Sequence, residues 1–259
     1  MPKEVKQCLE EFEPLNDEVK TELKSKVLYD DGSKFFGEFN EDTKMRHGRG
    51  IQIFPDKSKY IGLWENDKPN IKGRLMEENG NYYEGDWKDG KASGYGKFVQ
   101  KNGSTYEGYW ENDLQEGKGE EKWPDGTVYE GEFRCGKKEG KGEFLFKEGS
   151  KYNGDFKDDK MEGEGTYIFP DNKEYTGEWK GNRMNGRGKF TWPDGKTYEG
   201  EYKNDKKDGY GVFSWPDGRV FKGFWKEGKQ NGEGEYFSPK KQMWRKGIWV
   251  DGRRVKLIE

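Results

Sequence analysis

Alanine is nearly missing from this chain. Ala92 is the only one among 259 residues, and Leu, Ile, Val and Phe together supply just 41. A chain this poor in Ala and Leu is not expected to be mainly helical. Low aliphatic content can mark disorder, but that state also needs a large net charge. Here 48 basic residues face 51 acidic ones, for a net charge of -3. No apolar run approaches the ~18 residues of a bilayer span. The opening MPKEVKQCLEEFEP lacks the apolar stretch of a secretory signal. Two cysteines, Cys8 and Cys135, do not make a disulfide framework. With a single histidine, His47, they fall short of the common zinc sites, so no metal or cofactor is expected. The triplet Asn102-Gly103-Ser104 then reads as a turn, not a glycosylation site. Balanced charge argues against a general nucleic-acid binder.

What the chain has instead is aromatic residues at 16% and 39 glycines. They are ordered by self-similarity, the first thing to seek in such a sequence. Units of the form aromatic-x-Gly-x-aromatic begin at Phe35, Tyr60, Tyr83, Tyr106, Tyr129, Tyr152, Tyr175, Tyr198 and Phe221. The first step is 25 residues, because of an insertion after Phe39, and the next seven are 23 each. A Gly-x-Gly pair follows at fixed offset, as at Gly94/Gly96, Gly163/Gly165 and Gly186/Gly188. Ile71 stands where the first glycine of such a pair should be.

Each unit reads as two strands. In 175–179, Tyr175, Gly177 and Trp179 share one face and Thr176 and Glu178 the other. KGNRMNG is expected to turn the chain, and a second strand to run from Gly186 to Trp192. There Gly186, Gly188, Phe190 and Trp192 share the aromatic face. Trp192-Pro193-Asp194-Gly195 then turns again, Pro presetting the first central position and Gly accepting the left-handed one. The same WPDG stands at 123–126 and 215–218, with Asn-Gly at 79–80 and 102–103. The result is an all-β, elongated, single-layer antiparallel meander of about nine to ten 23-residue hairpins, or about 20 strands. Glycines leave room for rings to lie over the backbone. On the other face, Glu130, Glu132, Glu199 and Glu201 can oppose Lys141, Arg187 and Lys189 for ~0.2–1 kcal/mol per pair.

The pattern Y-x-G-x-[WF]…G-x-G-x-[FY]-x-[WF]-P-D-G-x-x-Y resembles the MORN (membrane occupation and recognition nexus) repeat. YTGEWKGNRMNGRGKFTWPDGKTYEGEY at 175–202 is a close match, and the resemblance covers about residues 27–237. Departures are Ile71, Glu121 in an aromatic position, the insertion after Phe39 and the degraded end from Ser238. The resemblance implies a non-catalytic assembly module. It also implies a cytoplasmic setting in the cytoskeleton, or in a cilium or flagellar axoneme, as for radial-spoke heads and other stand-alone arrays. Family members with lipid-kinase or methyltransferase activity carry it in domains outside the repeats, and no such domain fits beside this array.

Three organisational parts are expected: an acidic, helical segment at 1–24, the array at 25–237, and a degraded repeat with a basic end at 238–259. Val5, Leu9 and Phe12 make one helical stripe and Leu15, Val19 and Leu23 a second, separated by Pro14. One or two short helices are expected here, folding onto the first hairpins or onto a partner. At the other end Lys240, Lys241, Arg245, Lys246, Arg253 and Arg254 are either a solvated terminus or a contact for an acidic surface or anionic lipid. The latter gives an alternative function, a membrane-surface module with weak anionic-membrane contact.

GDWKDGK at 85–91, GEFRCGK at 131–137 and GFWKEGK at 223–229 mimic a phosphate loop. The next residue is Ala92, Lys138 or Gln230, never the Ser or Thr that would hold magnesium. His47 has no nucleophile placed beside it, and repeated carboxylates are not a unique acid–base pair. No enzyme is expected. The aromatic face is the candidate site. Tyr129, Phe133, Phe144, Tyr152, Phe156, Tyr167, Tyr175, Trp179, Phe190 and Trp192 would line a groove. That groove either packs on itself or holds a partner's helix or extended segment, since a single-layer sheet has nothing else to cover it. The expected function is a scaffold that bridges proteins of a multi-subunit assembly. Tyr109 and Phe224, breaking the charged pattern of the opposite face, mark a second contact.

Overall fold

The computed structural model describes residues 3–258. The chain is nearly all β and divides into two compact units, 1–136 and 137–259. The first holds α1 (Lys3–Leu9), β1 (Thr21–Leu28), β2 (Lys34–Asn40), β3 (Arg46–Ile53), β4 (Lys59–Glu65) and β5 (Lys68–Met76). It continues with β6 (Tyr82–Lys88), β7 (Lys91–Val99), β8 (Thr105–Glu111), β9 (Leu114–Lys122) and β10 (Val128–Arg134). The second holds β11 (Lys137–Leu145), β12 (Lys151–Lys157), β13 (Lys160–Ile168), β14 (Glu174–Lys180), β15 (Arg183–Thr191) and β16 (Thr197–Lys203). Then come β17 (Lys206–Ser214), β18 (Val220–Lys226), β19 (Lys229–Ser238), β20 (Met243–Val250) and β21 (Arg253–Ile258). Within each unit every strand pairs antiparallel with the next, as β1 with β2 and β14 with β15. The degraded C-terminal repeat therefore still forms two strands.

The hairpins are tighter than the sequence suggests. Between β14 and β15 only Gly181 and Asn182 turn, at φ 56° and 66°. Positive φ at both positions matches the twist of the flanking strands. Asn, Asp and Gly tolerate it, which explains Asn204-Asp205 and Asp158-Asp159 at equivalent turns. The second strand thus begins at Arg183, and Gly186 lies inside it, at a bulge. Gly177 faces Gly188 while Trp179 faces Met184, so the register shifts by two residues between them. Gly186 sits at φ 80°, off the simple alternation expected of it. The first glycine of each Gly-x-Gly exists for this bulge. Ile71 holds the same conformation at φ 62°, which a β-branched side chain adopts only at a cost.

The WPDG turn behaves as its residues dictate. Gly195 N donates to Trp192 O at 2.9 Å, and Trp192 N to Lys196 O at 3.0 Å. Gly195 takes φ 84°.

The N-terminal segment forms one short helix, α1, the lower of the one or two expected. Val5 and Leu9 of the first stripe lie on α1 and Phe12 in a bend just after it; Leu9 packs on Ile51 and Ile61, with Val5, Cys8 and Phe12 around it. These isoleucines lie on the face opposite Tyr60 and Trp64, so α1 covers the non-aromatic side of the first hairpins. The second stripe, Leu15, Val19 and Leu23, forms no helix. Val19 N donates to Asp17 Oδ1 at 3.2 Å in a bend, and Leu23 lies on β1. The outer edge of β2 has unpaired backbone groups, and β1 satisfies them.

Candidate functional site

The leading Tyr of a repeat, or Phe at 35 and 221, lies across two glycines, one on its own strand and one on the next. A Cβ at Gly188 would run into the Tyr175 ring, and one at Gly177 into the backbone of Arg187 and Gly188 and the Tyr175 hydroxyl. The phenol then donates to the backbone carbonyl three residues on, Tyr175 Oη to Glu178 O at 2.9 Å and Tyr152 Oη to Asp155 O likewise. Burial pushes these phenols' pKa up, so they remain donors. The indole of the same strand reaches back one repeat, Trp179 Nε1 donating to Gly165 O at 3.1 Å.

These rings pack edge to face in a continuous ladder within each unit. In the second, Phe156, Tyr152, Trp179, Tyr175, Tyr202, Tyr198, Trp225, Phe221 and Trp249 follow one another at 5.0–5.5 Å between centroids. Each edge-to-face pair adds ~0.5–1.5 kcal/mol beyond its buried area. The ladder is the core. It is built from rings because the single layer offers only the width of one side chain, and glycine provides the floor.

A second row runs beside the ladder, from the ends of the second strands into the WPDG-type turns. In the second unit it consists of Phe144, Phe146, Tyr167, Phe169, Phe190, Trp192, Phe213, Trp215 and Tyr236. Successive centroids are 4.4–6.3 Å apart. All but Phe213 are half-buried. The first unit has the same positions but not the same row. There Gln52, Glu77, Gln100 and Glu121 interrupt it.

Burial therefore divides the ten rings singled out in the sequence. Tyr129, Phe133, Tyr152, Phe156, Tyr175 and Trp179 are buried, belonging to the ladders. Phe144, Tyr167, Phe190 and Trp192 are half-buried members of the second row. Alternation puts all ten on one face, but it does not tell which rings lie flat on glycine and which stand in the open row. Phe146, Phe169 and Trp215 are not among the ten, although Trp192 at the equivalent turn position is.

The MORN repeat model matches residues 44–59, 83–105, 106–128, 129–151, 152–174, 175–197, 198–218 and 221–243. That is well over half of the chain. The chain belongs to the MORN repeat family. Among solved structures, a mutant TCP10 domain of Danio rerio CPAP is 15% identical, with a TM-score of 0.43, covering 77% of this chain and 92% of that one. The SAS-4 (dCPAP) TCP domain of Drosophila melanogaster, in complex with a proline-rich motif of Ana2 (dSTIL), is 12% identical. Its TM-score is 0.29, covering 76% of this chain and 86% of that one. No curated protein matches the chain in sequence.

The MORN signature hides a further device on the opposite face. In Tyr-x-Gly-[Asp/Glu]-aromatic, the carboxylate folds back onto the bulge and accepts a backbone N–H. Asp86 takes Tyr95 N at 2.8 Å, Asp155 takes Glu164 N at 2.9 Å and Glu178 takes Arg187 N at 2.8 Å. Cross-strand pairs such as Lys141–Asp155 at 2.6 Å form too, but most are exposed and contribute little. Tyr109 and Phe224 replace this carboxylate. They are 54% and 50% exposed and pack edge to face on Tyr95 and Tyr210 of the adjacent strand.

The remaining candidates are placed as follows. His47 is buried in β3, its Nε2 2.8 Å from Asp17 Oδ2, and this hydrogen bond holds Asp17 below the usual carboxylate range. Lys240 and Lys241 lie in an exposed turn, Arg245 and Lys246 on β20, and Arg253 and Arg254 on β21. Lys246 pairs with Glu233 at 3.4 Å. The phosphate-loop mimics run from a strand into hairpin turns at Asp89-Gly90, Cys135-Gly136 and Glu227-Gly228, with no helix following. Among the described residues no helix is long and apolar enough to cross a membrane, and no cluster of His, Cys, Asp and Glu could hold a metal.

Proposed function

We propose that this MORN protein is a non-catalytic adaptor in a multi-subunit assembly. It holds a partner's helix or extended segment along the half-exposed row of its second unit. Phe144, Tyr167, Phe190 and Trp192, with Phe146 and Phe169, make the contact. The buried ladder rings Tyr152, Phe156, Tyr175 and Trp179 form the packed core beside it. One observation carries this reading. The row is aromatic at every position from Phe144 to Tyr236, ending at Ser238, whereas polar residues interrupt the equivalent line in the first unit. The ladder already supplies a core in both, so packing alone does not call for the additional rings. Aromatic side chains offer large contact area at low entropy cost, which suits an interface. A cytoskeletal or axonemal setting is part of the proposal and rests on the family resemblance.

The test is capture from cell extract at high salt by the wild-type chain and by a Phe146→Gln/Phe169→Gln variant. Both positions are half-exposed, so the variant is expected to keep its near-UV circular dichroism. Salt-resistant proteins lost with the variant, and quenching or shifting Trp192 fluorescence when purified and added back, support the row. The same proteins name the assembly. Undiminished capture by a folded variant sinks this reading.

A further inference from the structure

One position of the repeat, opposite the second ring of each first strand, points into the aromatic face. It is occupied by Arg46, Pro69, Ala92, Gln115, Lys138, Met161, Met184, Lys207 and Gln230 in turn. Arg46 and Lys207 sit in equivalent boxes of rings. Arg46 Cζ lies 5.7 Å from the centroids of Tyr29 and Phe35 and 4.2 Å from Trp64. Lys207 Nζ lies 5.0 Å from Trp192, 4.9 Å from Tyr198, 4.8 Å from Trp225 and 4.5 Å from Phe213.

The two cations differ in what neutralises them. The turn of the next repeat places Asp67 beside Arg46. Its carboxylate accepts Arg46 N at 2.8 Å and Nε at 3.0 Å, while Gln52 Oε1 accepts Nη1 at 3.0 Å. At Lys207 the counterpart of Asp67 is Gly228, and that of Gln52 is Phe213. The backbone is the same: Gly228 N donates to Lys207 O at 2.9 Å as Asp67 N does to Arg46 O at 3.1 Å. Only the carboxylate is gone. Nearby acids are engaged elsewhere. Asp205 accepts Met184 N, Asp208 accepts Glu227 N, and Glu227 pairs with Lys206. Among the described residues no carboxylate forms an ion pair with Lys207. Burial lowers its pKa to about 8. Leaving a desolvated ammonium without a counter-charge is unfavourable, and methionine fills the same place in two preceding repeats.

We propose that the second unit takes an acidic side chain of a protein partner at this point, an Asp or Glu next to an aromatic residue. Its carboxylate occupies over Gly228 the place that Asp67 fills in the first unit, and pairs with Lys207. Trp192 and Phe213 of the open row border the same ammonium, so the neighbouring aromatic of the partner packs there. This rests on the row being the docking surface, and it adds which partner chemistry that surface selects.

The experiment titrates acetyl-Asp-Phe-amide and acetyl-Asn-Phe-amide into the full chain and follows the lysine side-chain NMR signals. The aspartyl peptide is expected to bind at least tenfold more tightly. The preference should vanish in Lys207→Met, and also in Gly228→Asp, which supplies the carboxylate in cis. Both variants keep the fold. Met161 and Met184 already occupy the first position, and Asp205 holds φ 68° at the turn position of the second. Equal affinity for the two peptides overturns the proposal. If that equal binding is lost in Phe169→Gln, the row stands without Lys207. A preference retained in both variants, or no response to either peptide, overturns it as well, while the row is judged separately by capture.

Discussion

The Tyr175 ring lies directly over Gly188 on the neighbouring strand, where any Cβ would overlap its Cε2 and Oη. The ring cannot swing away, because its hydroxyl is bonded to Glu178 O. Gly188→Ala should therefore destabilise the second unit by about 3 kcal/mol, at the upper end of overpacking costs. Gly126 is the control. It has φ 90° and open space around it, so Gly126→Ala adds only backbone strain of ~1 kcal/mol. Urea unfolding of the two variants measures the difference.

Ile71 occupies a left-handed bulge position that glycine fills elsewhere in the array. Relieving the ~1–2 kcal/mol strain outweighs the added freedom of an unfolded glycine. Ile71→Gly should raise stability by about 0.5–1 kcal/mol, since the side chain is 41% exposed and gives up little burial. A lower melting temperature in this variant would count against the bulge being the source of the glycine pattern.

Asp155 ties β12 to the bulge of β13. Desolvation raises its pKa, but the Lys141 and Glu164 N–H hydrogen bonds outweigh it and hold the carboxyl below its ordinary value of 3.8. A depressed carboxylate contributes stability above its unfolded pKa and loses it as pH falls through the folded pKa. Asp155→Asn should cost about 1–2 kcal/mol at pH 7, a hydrogen bond to a charged group. The gap to wild type should close below about pH 4. Thermal melts at pH 7, 4 and 2.5 check the sign.

Tyr202 stands where most repeats have Trp, and its hydroxyl is buried without a partner. Tyr202→Phe should stabilise by about 1 kcal/mol by removing the orphaned group. Tyr202→Trp should do at least as well, if its indole reaches Gly188 O as Trp179 reaches Gly165 O. Destabilisation by both would mean that the hydroxyl is satisfied in solution.

Much of this architecture is carried by local sequence. The 23-residue period, two strands per unit, the Pro-Asp-Gly turns and the glycine floor under the rings follow from alternation and backbone sterics. These act over a few residues, so Tyr175-x-Gly177 and Trp192-Pro-Asp-Gly195 declare themselves. Contacts made 14 to 23 residues away had to await the folded chain. Alternation does not separate Tyr175 in the ladder from Trp192 in the open row, because both point to the same face. Nor does it count the two extra residues of the bulge that moves Gly186 off its expected face. Leu15, Val19 and Leu23 have helical spacing, but the unpaired edge of β2 drew Leu23 into a strand. The difference between Arg46 with Asp67 and Lys207 with Gly228 lies between successive repeats. Only pairing the strands in register sets a turn of one repeat beside a cation of the one before.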